Sequence, residues 1–215
     1  MQTRRDLAKL ETRAALVEAA VELLREEGLA ALSADAIAAR AGVSRRTFFN
    51  YFPTTDAVLA VPSIDFLGAA LAAFRARPVD EPLIDSLSAA LSAPDMDLVE
   101  RFATVVRSCC ADATADRVER EVWGQAEAEV ASVLAGRLGA EPDSLRLQVL
   151  SACVLATGRA ALLAWVAAVP ASAAPDAGAA DTTTPDSTVT VSTHLREHLV
   201  AAFGYLDQGL SGAPA

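Results

Sequence analysis

Aromatic residues make up only 5% of the 215-residue chain, and histidine occurs twice. Hardly any segment alternates apolar with polar residues, which disfavours sandwiches and barrels, whose half-buried strands need that period. Cysteine is scarce. Cys109 and Cys110 are adjacent and Cys153 is distant, an odd number without metal-type or disulfide-framework spacing, so a reducing cytoplasm is the expected setting. The opening stretch MQTRRDLAKLET is charged and lacks an apolar core, so no secretory signal is expected. The longest apolar run, Val149 to Val169, carries Arg159 at its middle beside Gly158. It reads as a buried helix of a soluble protein, and no membrane partner is expected. Phosphate-cradling glycine loops, GxSxG and HExxH are all missing, so neither an enzyme nor a cofactor is expected. A basic surplus is missing too. Against 18 Lys and Arg stand 28 Asp and Glu, a formal charge of -10, which at face value argues against nucleic acid.

What the chain does have is 53% apolar residues, with alanine prominent, and the expectation is an all-α protein. Its charge is unevenly distributed. Residues 1 to 60 hold eight basic and eight acidic groups, leaving ten basic and twenty acidic beyond, so the whole surplus belongs to the later part. In the neutral part, Leu10, Ala14, Val17, Val21 and Leu24 share one helical face, and Gly28 ends that helix. Ser33 is placed to cap a short helix over Ala34 to Ala41, with Asp35 in its first turn meeting the dipole. Gly42 stops it. Ser44 caps a second short helix, Arg45 to Tyr51 or Phe52, which Pro53 closes, and Thr54 caps a fourth. Two helices of about two turns joined by Gly42-Val43-Ser44 make a helix-turn-helix.

Longer helices are expected over about Thr55 to Arg77 (bent near Pro62), Glu81 to Ala93, Asp97 to Asp112, Ala115 to Leu138, Pro142 to Val169 and Val189 to Gln208. Residues 170 to 188, rich in Pro, Ala, Asp and Thr, read as a mobile loop. The expected domains are 1–54 and 55–215.

A recognition helix needs an underside that locks it in place and an outer side that offers groups to base edges. Val43, Phe48 and Phe52, with Ile37 and Ala41, supply the first; Arg45, Arg46, Phe49 and Asn50 supply the second. Arginine suits bidentate contact with guanine, and Phe49 can meet a thymine methyl. Ser44, Thr47 and Tyr51 bring hydroxyls for phosphates, while Arg4 and Arg5 sit on an expected flexible arm. An isolated arginine pair would read as solvated surface charge; inside this motif DNA contact is the better reading.

The run IAARAGVSRRTFFNYFPTTDAVL resembles the TetR family of bacterial transcriptional regulators, and residues 10 to 60 match in order and spacing. The resemblance implies an N-terminal three-helix DNA-binding domain joined to a C-terminal helical ligand-binding and dimerisation domain. It further implies a homodimer through the last two helices, and a repressor released from a palindromic operator by a small-molecule effector. By position, Arg45, Arg46 and Phe49 face bases, whereas Ser33, Thr47, Asn50 and Tyr51 touch the backbone. Two departures matter: Thr55 stands where the family commonly has a phosphate-binding lysine, and Phe49 replaces a tyrosine. They keep open an alternative, a small-molecule binding or carrier protein with a weakened DNA module.

For the effector, the helices that border the family's cavity carry Phe74, Phe102, Val106, Cys109, Trp123, Ala126 and Cys153, each of which can equally fill a core. Arg159 would anchor an anionic ligand or pair with a carboxylate across the dimer, and Trp165 would pack at that interface. Cys109 and Cys110 read as buried apolar residues. His194 and His198 stand one helical turn apart, yet nothing completes a metal site, and a polar stripe at the interface rim is preferred.

Overall fold

The computed structural model describes residues 4–109, 115–141, 143–168 and 186–211, and these are helical with no strand among them. The helices are α1 (Arg4–Glu27), α2 (Ala34–Arg40), α3 (Arg45–Tyr51), α4 (Thr55–Leu59), α5 (Val61–Arg75), α6 (Leu83–Leu91), α7 (Met96–Cys109), α8 (Ala115–Leu138), α9 (Leu145–Ala168) and α10 (Asp186–Ser211). They divide into two compact units, residues 1–64 with 101–122 and residues 65–100 with 123–215.

The first unit is organised by its caps. Ser33 Oγ accepts from Ala36 N at 3.1 Å, Ser44 Oγ from Thr47 N at 3.1 Å and Thr54 Oγ1 from Ala57 N at 3.1 Å, so three successive helices start where a short hydroxyl side chain satisfies a free backbone donor. Between α2 and α3, Val43 N donates to Ala38 O (2.9 Å) and Gly42 N to Ala39 O (3.2 Å). That paired pattern requires a left-handed residue, and Gly42 supplies it with φ 68°. Beneath these turns, Ile37, Phe48, Phe52, Val58 and Leu59 close on Leu16, Val17, Ala20, Val21, Leu23 and Leu24 of α1, and Val105 and Cys109 of α7 join the same core.

The apolar face of α1 differs from its expected course. Val17, Val21 and Leu24 are buried, but Leu10 is 52% exposed and Ala14 is exposed as well. The buried core begins only at Leu16, and the turns of α1 before it are exposed or half-buried. Arg4 and Arg5 also differ from expectation: they open α1 rather than forming a flexible arm. Asp6 in that first turn favours helix at the dipole's positive end. Arg40, at the end of α2, reaches Glu22 (3.5 Å), Glu26 (2.8 Å) and Glu27 (3.4 Å) near the end of α1, and this pairing holds the Glu26 carboxyl below its ordinary range.

The expected single helix over 55–77 is two helices, with Ala60 between them. Pro62 then lies in the first turn of α5, where its missing N–H leaves no hydrogen bond unmade. In the second unit, Leu71 and Phe74 of α5, Leu87 and Ala90 of α6, Val130, Val133 and Leu134 of α8, Leu147 of α9 and Phe203 of α10 form one core. Arg137 clasps the α5–α6 connection to α8. Its Nη2 donates to Pro78 O (2.8 Å), Glu81 O (2.7 Å) and Ser86 Oγ (2.7 Å), and its guanidinium lies 4.9 Å from the Phe74 ring centre.

α8 has the expected bounds, and α10 begins at Asp186, so residues 186–188 are helix and not the end of a loop. The remainder of the expected loop, and Cys110, lie outside the described residues. α9 corrects the expectation of a buried helix: Leu147, Ser151, Ala161 and Trp165 are buried, whereas Leu145, Val149 and Leu163 are 74%, 50% and 40% exposed. Its 24 residues are apolar nearly all round, and a helix of that kind has more apolar surface than one neighbouring layer can cover. By length and composition, Thr55–Arg75 and Leu145–Trp165 would each be long enough to cross a membrane; the first is broken at Ala60 and more than half buried, as a core helix is.

Candidate nucleic-acid interface

α3 is only seven residues long, too short to be stable alone, and it exists because its underside is locked. Phe48 is 0% exposed and Phe52 4%. Phe52 stacks obliquely on Phe48, and Arg13 of α1 lies 5.4 Å from the Phe52 ring. A fixed underside leaves a fixed outer side. There Arg45, Arg46, Phe49 and Asn50 are exposed, as the residue spacing leads one to expect.

Within that outer side the groups are ordered by contacts. Phe49, 45% exposed, stands edge-on to Phe48 with centroids 5.3 Å apart and planes at 90°. Arg45 Cζ lies 5.5 Å from the Phe49 ring centre, and Arg45 Nη1 donates to Asp35 Oδ2 of α2 at 2.5 Å. Ser44 and Thr47 share a hydroxyl contact of 2.8 Å besides the cap, so part of their hydrogen-bonding capacity is already used within the turn. Tyr51 is half-buried against the core, Ser33 is exposed at the start of α2, and Thr55 is the half-buried first residue of α4. Arg4 is exposed; the side chain of Arg5 lies outside the described residues.

The residues considered for an effector do not all fall in one unit. Phe102, Val106 and Cys109 belong to the first, where Cys109 is 5% exposed within its core. Phe74, Ala126, Cys153 and Arg159 belong to the second. Phe74 (2%) and Ala126 (1%) are buried, Cys153 is half-buried and Arg159 exposed. The side chain of Trp123 lies outside the described residues. Trp165, expected at an interface, is instead 0% exposed within the single chain, because one side of α9 faces inward against its own helices. Among the described residues its Nε1 meets no hydrogen-bond partner, and neither does Ser151 Oγ, 3% exposed and fourteen residues earlier on the same side of α9. Composition gives no hint of either, since burial of a serine depends on which neighbour covers it. Among the described residues no three His, Cys, Asp or Glu side chains gather to hold a metal, and His198 Nδ1 bonds the His194 carbonyl at 2.7 Å.

A short helix fixed by a capped, left-handed turn and presenting two arginines, a phenylalanine and an asparagine outward defines a helix-turn-helix DNA-binding protein. Residues 16–61 match the sequence profile described as bacterial regulatory proteins, tetR family. Over those residues the chain carries the helix-turn-helix module of that family. Solved structures share its fold over nearly the whole length. FadR from Thermus thermophilus, a TetR-family transcriptional repressor solved in complex with lauroyl-CoA, is 21% identical, with 94% of this chain and 95% of that one covered and a TM-score of 0.56. A putative TetR-family regulator from Rhodococcus sp. is 17% identical (91% and 97% covered, TM-score 0.54). A transcriptional regulator from Rhodococcus sp. Rha1 is 20% identical (92% and 96%, 0.52). No curated protein matches the sequence.

Proposed function

We propose that the chain is a cytoplasmic repressor that binds a palindromic operator as a homodimer and leaves it when a small molecule binds. The observation that carries the DNA reading is the outer side of α3, where Arg45, Arg46, Phe49 and Asn50 stand exposed over a buried Phe48. In this reading Arg45, Arg46 and Phe49 contact base edges, Ser33, Thr47, Asn50 and Tyr51 the phosphate backbone, and Arg4 and Arg5 add counterion-releasing charge. Residues 1–54 act as the reading domain and 55–215 as the regulatory body. The exposed apolar residues Leu145, Val149 and Leu163 of α9, with Val200 and Tyr205 of α10, support a second copy packing on these helices. Ser151 Oγ and Trp165 Nε1 support an effector with polar groups at intervals along an apolar body, since each is a buried polar atom without a partner among the described residues. Lauroyl-CoA, bound by the Thermus protein, is a reasonable first compound to try.

Gel shift of the full chain against the intergenic DNA upstream of its own gene tests the reading. Specific binding that Arg45→Ala and Arg46→Ala each weaken is the expected result, by about 1 to 3 kcal/mol per good base contact. Absence of specific binding there and across the genome would overturn it, and ligand binding without any operator would favour the carrier reading instead.

A further inference from the structure

An acidic side chain on a DNA-facing surface has a cost, because every phosphate it approaches repels it. Asp35 is such a group. It sits in the first turn of α2 with its side chain 62% exposed, beside the equally exposed Arg45 that opens α3. The ion pair they form does little for folding: exposed pairs gain little Coulomb energy in water and lose it to salt. What the pair does fix is direction. Nη1 of Arg45 is held by Asp35 Oδ2 at 2.5 Å, and its guanidinium carbon lies 5.5 Å from the Phe49 ring centre. Two contacts on one planar group bias its orientation toward one direction. The guanidinium keeps its Nη2 and Nε donors, and two parallel N–H donors on one edge are what guanine N7 and O6 accept.

We propose that Asp35 is a specificity-determining residue: it positions the Arg45 guanidinium for one base and lowers affinity for all DNA that lacks that base. The inference rests on α3 being the helix that meets DNA, and goes further by giving a role to a residue on α2. On random sequence the carboxylate repels phosphates and partly neutralises Arg45. On the right base the positioned guanidinium forms its two bonds without first having to be ordered. Asp35 therefore widens the gap between specific and non-specific binding, at the expense of absolute affinity.

The test uses the full chain as wild type, Asp35→Ala, Asp35→Asn, Asp35→Glu, Arg45→Ala and the double variant D35A/R45A. Each is put through selection from a random-sequence duplex pool. Fluorescence anisotropy then measures binding to the wild-type consensus duplex and to a scrambled one, over a range of salt. In Asp35→Ala and Asp35→Asn the ratio of consensus to scrambled affinity should fall roughly ten-fold. Scrambled binding should strengthen, with a log–log salt slope steeper by about one. One position of the consensus should lose its preference, the same one that Arg45→Ala loses, and the double variant should discriminate no worse than Arg45→Ala alone. Asp35→Glu, which restores the charge, should recover scrambled binding toward wild type. Thermal midpoints should fall by no more than the few degrees that losing a first-turn carboxylate at the α2 dipole costs, since both side chains are exposed. Asp35 variants that keep the wild-type consensus and ratio while Arg45→Ala loses a position would overturn the inference and leave the DNA reading intact. If Arg45→Ala loses nothing, or wild type enriches no consensus, the DNA reading falls and the inference with it.

Discussion

Phe48 and Phe49 are neighbours in sequence, and replacing each with alanine should have very unequal consequences for stability. Phe48 is 0% exposed, in the core that joins α1 to α4, so its truncation removes the transfer free energy of a buried ring and leaves a cavity. Such a change costs about 3 to 5 kcal/mol. A domain of this size has a total stability on the order of 5 to 10 kcal/mol, so the loss is a large part of what holds the first unit folded. Phe49 is 45% exposed and makes one edge-to-face ring contact and one with Arg45. Contacts of these kinds are worth about 0.5 to 1.5 kcal/mol each when well formed and less at the surface. Phe49→Ala should therefore cost about 1 kcal/mol or less while weakening operator binding. Urea unfolding followed by far-UV circular dichroism measures both variants. Equal destabilisation by the two substitutions would refute the assignment of an inner and an outer side to α3.

Three further outcomes can be checked. Ser44→Ala removes the acceptor for Thr47 N and the hydroxyl partner of Thr47, and should lower stability by about 1 kcal/mol in the same urea experiment. Gly42→Ala meets no atom within 4 Å of its new Cβ, so its expected loss of about 1 to 2 kcal/mol comes from φ 68° alone, and Gly42→Asn should recover part of it in thermal melts. The Arg77 guanidinium, followed by Ser86 Oγ, holds the Glu81 carboxyl at about 2 against an ordinary 4.5. A depressed folded value means this contribution is complete above pH 4.5 and fades as pH falls toward 2. Melts across that window should show Glu81→Gln less sensitive to acid than wild type, and parallel profiles would contradict the pairing.

The parts of the first unit that were legible in the sequence are those whose physics is local. A cap joins residues three apart and a left-handed turn needs its glycine in place, so Ser33, Gly42, Ser44 and Thr54 mark the helix boundaries before any partner is known. The two sides of α3 follow from its period for the same reason. Other features depend on what lies opposite. Periodicity gives α1 a continuous apolar face, but only tertiary coverage decides that burial starts at Leu16 and leaves Leu10 in solvent. It likewise decides that α9 shows apolar residues outward while Trp165 is sealed inside. The polar contacts are the furthest from sequence reasoning. Asp35 meets Arg45 ten residues away, Arg40 reaches Glu26 across fourteen, and Arg137 closes on Pro78 across fifty-nine. No spacing rule reaches that far, because a charge finds its partner only after the helices carrying both have been placed by their cores.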